Sequence, residues 1–301
     1  HTLDLPTDPS WQPSGASTNF AAAGYDRHSM GLSGDGLTLT IGGLDSNADS
    51  EVRVYERNSI TDDWTLSQTI AGFQTTDISA NGDVIAVGNA GYLQGHYGKA
   101  KIFKRDANGD FQEKTSIDAD STNEYFGRSI AISDDGSKVA IGANNARGNA
   151  NQFHAGSVSI FDFDQSSEQW SETVVLRGDQ QEGYWGAPEA FSADGNTLVL
   201  AGYSVSTANG TDSGVVDIYN LDESTGWSQA HRILGDASQD YLQSASLSSD
   251  GMILAVGAPG HNGGGGPDTG LVRIFQNDGY GTWSQLGSDL TGNQNEHLGK
   301  S

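Results

Sequence analysis

Five times along the chain the same tetrapeptide returns, Ser-x-Asp/Asn-Gly: Ser33-Gly-Asp-Gly36, Ser79-Ala-Asn-Gly82, Ser133-Asp-Asp-Gly136, Ser192-Ala-Asp-Gly195 and Ser248-Ser-Asp-Gly251. A serine bonding to the backbone at the start of a turn, an Asp or Asn in its third position and a glycine in the left-handed conformation specify a tight β-hairpin. The glycines stand at 36, 82, 136, 195 and 251, so successive turns lie 46, 54, 59 and 56 residues apart. A period in that range is the mark of a repeat architecture.

The surroundings of the turn repeat as well. Each is followed by a short apolar stretch, at 37–41, 84–87, 139–141, 197–200 and 252–256, whose nearly unbroken hydrophobicity predicts a strand buried on both faces. Beyond a loop comes an alternating strand: EVRVY at 51–55, KAKIF at 99–103, SVSIF at 157–161, VVDIY at 215–219 and LVRIF at 271–275. A fourth strand opens on an aromatic residue, at Trp64, Phe111, Trp170, Trp227 and Trp283. With the more polar strand leading into each turn, every unit holds four strands and no helix-length apolar pattern. One four-stranded sheet cannot bury both its faces alone, whereas several set radially cover one another. The expectation is an all-β chain: a single β-propeller domain over 1–301, with four-stranded blades at about 24–71, 72–123, 124–181, 182–238 and 239–295. A sandwich or solenoid of the same strands is the alternative.

The string Tyr125-Phe126-Gly127, followed by Ser133-Asp-Asp-Gly136 and Val139-Ala-Ile-Gly-Ala143, resembles an FG-GAP repeat, the blade unit of integrin α-chain propellers. Tyr184-Trp185-Gly186 and Ala255-Val256-Gly257-Ala258-Pro259 carry the same resemblance. It implies a propeller fold and leaves function open, because one fold hosts many activities. Many units of that family also hold calcium in an Asp-rich loop before the second strand. Here the shorter Ser-x-Asp/Asn-Gly turns stand in that place, with one or two carboxylates against the six or more oxygens calcium takes. No cofactor is therefore expected to be required. Calcium stays possible at Asp106-Ala-Asn108-Gly-Asp110, whose alternating oxygens could begin a calcium loop; a polar turn is the other reading.

Charge narrows the partners. Fifteen Lys and Arg against 39 Asp and Glu give a formal charge of −24, which repels nucleic acid and anionic lipid. Without cysteine, neither a disulfide framework nor a thiolate metal site is available. No apolar run approaches the roughly 20 residues that span a bilayer. A secreted or extracellular location is expected, and the sequon Asn209-Gly210-Thr211 makes Asn209 a candidate glycosylation site.

No nucleophile elbow, phosphate-binding loop or zinc-binding helix motif is present. The loops between second and third strands, rich in Gly, Asn, Asp and Ser, differ between units on a constant scaffold, and such loops carry binding. They supply the candidate ligand residues Tyr92, His96, Tyr97, Phe153, His154, Tyr203 and His261. The expected function is a non-enzymatic extracellular interaction, adhesion or structural module whose partner is an extracellular protein or a glycan. The alternative is a glycan-binding lectin; a polysaccharide-active enzyme would need two facing carboxylates that the sequence does not single out. At the ends, Ser10-Trp11-Gln12 in the flank 1–23 resembles a fourth-strand opening, and Glu296-His-Leu-Gly-Lys-Ser301 resembles the start of a further unit. These flanks predict a partial sixth blade, completed by a longer natural chain or by pairing into a homo-oligomer or filament through its edges.

Overall fold

The computed structural model describes residues 29–44, 49–91, 97–122, 124–263 and 266–300. Among them every regular element is a strand, so no helix is long and apolar enough to cross a membrane. The first sheet holds β1 (Ser29–Leu32), β2 (Thr38–Leu44), β3 (Ser50–Glu56) and β4 (Thr65–Ala71). The second holds β5 (Thr75–Ile78), β6 (Val84–Asn89), β7 (Tyr97–Arg105) and β8 (Phe111–Thr122). The third holds β9 (Ser129–Ile132), β10 (Lys138–Ala143), β11 (Ser157–Asp164) and β12 (Gln169–Arg177). The fourth holds β13 (Trp185–Phe191), β14 (Thr197–Gly202), β15 (Val215–Asp222) and β16 (Gly226–Leu234). The fifth holds β17 (Ser244–Leu247), β18 (Ile253–Ala258) and β19 (Leu271–Asn277), with β20 (Trp283–Gln285) and β21 (Leu290–Thr291) sharing the outer edge of β19. All neighbours are antiparallel and follow chain order, as short hairpin loops require.

The repeated tetrapeptide builds the first hairpin of each sheet by one set of bonds. In the third sheet the Ser133 hydroxyl donates to Asp135 Oδ1 at 2.8 Å and accepts from Lys138 N at 3.0 Å, while Ser137 N donates to the same carboxylate at 2.9 Å. Ser33 with Asp35, Ser79 with Asn81, Ser192 with Asp194 and Ser248 with Asp250 repeat it. Gly36, Gly82, Gly136, Gly195 and Gly251 all take φ between 66° and 74°, the left-handed conformation that closes the turn.

First strands neighbour one another in sequence, β1 on β5, β5 on β9, β9 on β13 and β13 on β17, which places them at the inside of the ring. The core is divided among the faces between blades. One apolar cluster joins Val52 and Val54 to Ile85 and Val87, a second joins Ala86 and Ile102 to Val139 and Ile141, a third Val158 and Ile160 to Leu198 and Leu200, and a fourth Val216 and Ile218 to Leu254 and Val256. At about 25 cal/mol per Å² of apolar surface buried, these faces hold the blades together. On β1 Met30 is 72% and Leu32 56% exposed, whereas the matching Thr76 and Ile78 of β5 are 4% and 5% exposed. The difference follows from position: the first blade covers β5, and among the described residues no blade precedes β1.

A second device recurs at three places among the described residues. The loop before a third strand runs beside the opening of the following blade and takes its N–H groups in order. Phe153, His154 and Ala155 carbonyls accept from Glu182, Tyr184 and Trp185 N at 3.0, 2.9 and 3.2 Å. Thr211, Asp212 and Ser213 accept from Gln239, Tyr241 and Leu242 at 2.9, 3.2 and 3.0 Å. Pro267, Asp268 and Thr269 accept from Asn295, His297 and Leu298 at 3.3, 3.1 and 3.2 Å. In the third set residues 295–298 dock on the fifth blade as residues 239–242 dock on the fourth, and Leu298 bridges Gly270 as Leu242 bridges Gly214. The matching flank at Ser10-Trp11-Gln12 lies outside the described residues.

Candidate functional site

That joining device fixes where the loop side chains stand. It demands left-handed backbone at three non-glycine positions per junction, met by His154, Glu182 and Tyr184 at φ 51°, 59° and 46°, by Asp212, Gln239 and Tyr241, and by Asp268, Asn295 and His297. The same backbone thus accepts Asp at the place of His154 in two other junctions. An imidazole there is not a requirement of the scaffold.

At this one junction the side chains form a row. His154 and Tyr184 stack with ring centroids 5.5 Å apart and an interplanar angle of 22°, and Tyr184 stacks in turn on Tyr203 at 5.6 Å and 16°. Phe153 meets His154 edge-on at 6.4 Å, and the Arg147 guanidinium lies over the Phe153 ring at 3.9 Å. Phe153 is 52% exposed, a large apolar ring held in solvent. Beside the row the Glu182 carboxylate accepts from the Tyr184 hydroxyl at 3.0 Å and lies 2.9 Å from His154 Nδ1. These two contacts hold the Glu182 carboxyl below the usual range, His154 contributing most. Burial and the neighbouring carboxylate push the Tyr184 phenol up to about 12, so at neutral pH it remains a donor.

Three sequence-predicted residues, Phe153, His154 and Tyr203, thus come together. Sequence reasoning missed Tyr184 and Glu182, because the opening Tyr184-Trp185-Gly186 reads as scaffold. The available signal was the Tyr preceding each opening aromatic or leucine, at Tyr125, Tyr184 and Tyr241. Tyr92 and His96 lie outside the described residues, and Tyr97 begins β7. His261 stands apart at the fifth blade, its Nδ1 3.3 Å from Asp240 Oδ2. With Asp236 it brings three potential ligand atoms within 4.8 Å of one another. Part of their acceptor capacity is already engaged. Asp240 Oδ2 accepts from Asp236 N and Ala237 N, both at 2.9 Å, and Asp236 forms a two-toothed pair with Arg273 at 2.7 and 2.8 Å. Arg273 also grips Asp289, whose carboxyl falls to about 2 because of it.

The Asp106–Asp110 stretch closes the β7–β8 hairpin. Asp106 Oδ1 accepts from Asn108 N at 2.8 Å and Asp110 N at 3.1 Å, and these N–H groups hold its pKa down. Asp164, Asp222 and Asp278 do the same in the matching hairpins, so Asp106 has a structural duty common to the blades. Asn209 sits exposed on the Thr207–Gly210 turn and its Nδ2 donates to Gly235 O at 2.8 Å.

A family model for the FG-GAP repeat matches residues 115–161, the second half of β8 through most of β11. The chain carries an FG-GAP repeat on a β-propeller. Among solved structures it is similar to hydrazine synthase of Kuenenia stuttgartiensis, with 16% identity over 90% of this chain and 69% of that one and a TM-score of 0.56. Sqt1 of Saccharomyces cerevisiae aligns at 14% identity, 89% and 64% coverage and a TM-score of 0.53. The periplasmic gluconolactonase PpgL of Pseudomonas aeruginosa aligns at 12%, 89% and 86%, with a TM-score of 0.51. The last two are β-propellers. At these identities the chain shares their fold, and no curated protein sequence matches it.

Proposed function

We propose that this propeller is a non-enzymatic interaction module acting outside the cytoplasm, and that it binds through the row Phe153–His154–Tyr184–Tyr203. The observation that carries the reading is the presence of stacked aromatics at a junction whose backbone twin elsewhere holds Asp212 and Asp268. Exposed aromatic rings with an adjacent arginine have the composition of interface hot spots. A charge of −24 favours a neutral or basic partner over an anionic one.

A glycan partner is a narrower form of the same reading, since sugar rings pack on aromatic surfaces while Glu182 accepts from their hydroxyls. The test is binding to arrays of glycans and extracellular proteins, in calcium and in EDTA, by the wild type and by the F153A/Y203A double variant. Binding that falls at least tenfold in the variant, with an unchanged melting curve, supports the row. Binding that the variant retains removes it, and binding to proteins alone removes the lectin.

The enzymatic alternative draws on one feature, the pairing of His154 with Glu182 at 2.9 Å, because a carboxylate orienting an imidazole is a base's usual setting. The other hydrogen-bond partner of His154 is a phenol rather than a nucleophilic hydroxyl. Hydrolysis of lactones or polysaccharides that disappears in H154A and E182Q would replace the binding reading with a catalytic one.

A further inference from the structure

An asparagine followed by glycine is prone to lose its side-chain amide, because a residue without a Cβ leaves its backbone nitrogen open to reach the asparagine Cγ. The chain holds four such pairs, at Asn81-Gly82, Asn108-Gly109, Asn209-Gly210 and Asn262-Gly263. In each the glycine N–H is donated locally: to Ser79 O at 2.9 Å, Asp106 O at 3.1 Å, Thr207 O at 3.2 Å and Thr269 Oγ1 at 2.9 Å. The backbone therefore does not tell the four apart, but the side chains do.

Asn81 stands in the third position of its Ser-x-Asn-Gly turn. Its Oδ1 accepts from the Ser79 hydroxyl at 2.6 Å and Asp83 N at 3.0 Å, and its Nδ2 donates to Asp135 O of the next blade at 3.0 Å. Asn209 Nδ2 donates to Gly235 O at 2.8 Å, and Asn262 Oδ1 accepts from Asp268 N at 2.8 Å. Among the described residues nothing bonds to the Asn108 side-chain amide, since Asp106 caps that turn through Asn108 N and Asp110 N. The glycines differ in the same sense. A Cβ on Gly210 would meet Ser238 Oγ at 2.3 Å, on Gly263 Thr269 Oγ1 at 3.0 Å and on Gly82 Ser33 Cβ at 3.5 Å, whereas on Gly109 it would meet nothing within 4 Å. Of the four pairs, 108–109 alone has both residues exposed.

We propose that Asn108 is a site of spontaneous deamidation in the folded protein, and that the fold protects the other three Asn-Gly pairs. The Gly109 amide nitrogen gives up its proton to base and bonds to Asn108 Cγ; the Cγ–Nδ2 bond breaks, and the side-chain nitrogen takes a proton from solvent and leaves as ammonia. Water then opens the cyclic imide, at Cγ to give aspartate or at the backbone carbonyl carbon to give isoaspartate. Nothing is oxidised or reduced, and water is the co-reactant. Because the nitrogen attacks without its proton, the rate rises with pH. Either product adds a carboxylate between Asp106 and Asp110. Isoaspartate also lengthens the main chain and so moves the Gly109 carbonyl, which Arg105 Nη1 holds at 2.6 Å while its Nη2 reaches Thr38 Oγ1 of the first blade at 2.8 Å.

The test keeps the whole chain folded in mildly alkaline buffer, samples it over time, and reads the amide-to-acid mass change at each pair after digestion into peptides. Each hydrogen bond that a side chain must first give up slows the attack by up to about tenfold. Asn209 and Asn262, with one bond each, should therefore convert up to about tenfold more slowly than Asn108, and Asn81, with three, more slowly still. In denaturant, where those bonds are gone, the four pairs should convert at similar rates. The acidic species that accumulates on ion exchange of the wild type should be missing from N108Q. An Asn108 that keeps its amide while another pair converts, or four equal rates in the folded chain, would overturn the site. The same ranking in denaturant as in buffer would remove the fold as its cause.

Discussion

Gly98, Gly156, Gly214 and Gly270 occupy one position in four blades, and the space each leaves is filled by backbone of the next blade's opening. A Cβ on Gly156 would drive into the Trp185 carbonyl oxygen, with φ already at 91°. G156A should therefore lose more than about 3 kcal/mol, because neither backbone can yield. Gly109 has a similar φ of 93° with nothing within 4 Å of a Cβ, so G109A should lose only about 1 kcal/mol. Chemical denaturation of the two variants separates crowding from conformational strain. Asp217 is a second such residue. Fully buried, it accepts from Trp185 Nε1 at 2.7 Å, Gln229 Nε2 at 2.7 Å, and Arg232 Nε and Nη2 at 2.6 and 2.8 Å. D217A leaves a half-buried guanidinium without its counter-ion and should cost about 3–5 kcal/mol in the same measurement. The sequence reads this aspartate merely as the polar beat of VVDIY, since a pattern of two reports which face a residue is on and not what it touches.

At the scale of elements, the hairpins were legible and the junctions were not. Ser-x-Asp-Gly acts within six residues, so its hydroxyl and carboxylate find their partners wherever the turn is placed. A graded test follows from burial. Ser133 is fully buried and its loss strands Lys138 N, so S133A should cost about 1–3 kcal/mol; the more open Ser248, whose partner amide water can reach, should cost about 0.5–1.5 kcal/mol. Melting temperatures falling equally in the two variants would show that burial does not govern the turn. The aromatic row, by contrast, draws Phe153 and His154 from one loop, Tyr184 from the next opening and Tyr203 from the next loop, up to 50 residues apart. Only the parallel zipping of loop onto opening brings them together, and its requirement for left-handed backbone at non-glycine residues leaves no compositional mark. The Asp106 stretch leaves both a calcium loop and a polar turn open in the sequence for a related reason: a turn whose carboxylate caps its own backbone has the same residues as one that offers it to an ion.

Over the whole molecule, pH and salt act through groups of opposite sign. Asp222 and Asp289 fall to about 2, the first through hydrogen bonds from Ser224 and Thr225 and the second through Arg273, and Asp35, Asp135, Asp194 and Asp250 in the first hairpins are lowered as well. A carboxyl lowered on folding contributes stability that is present above its unfolded value near 4 and lost as pH drops through the folded value. Asp77 and Glu189 are raised, so their contribution is complete below about 4 and lost as pH climbs through about 7 and 8. The two sets leave a maximum between roughly pH 4 and 5, on the acid side of the usual range of about 5–8. Self-repulsion shifts it the same way, since a formal charge of −24 at pH 7 shrinks as carboxyls protonate. Sodium chloride screens that repulsion over a Debye length falling from about 10 Å at 0.1 M to 3 Å at 1 M, but reaches enclosed carboxyls far less. Added salt should therefore raise the melting temperature most at pH 8, where the surface is most negative, while the alkaline decline set by Asp77 and Glu189 persists at 1 M. A melting profile that becomes flat from pH 5 to 9 in high salt would assign the decline to the surface instead of these two carboxyls, and a large rise with micromolar calcium that sodium does not reproduce would locate a specific cation site in the chain.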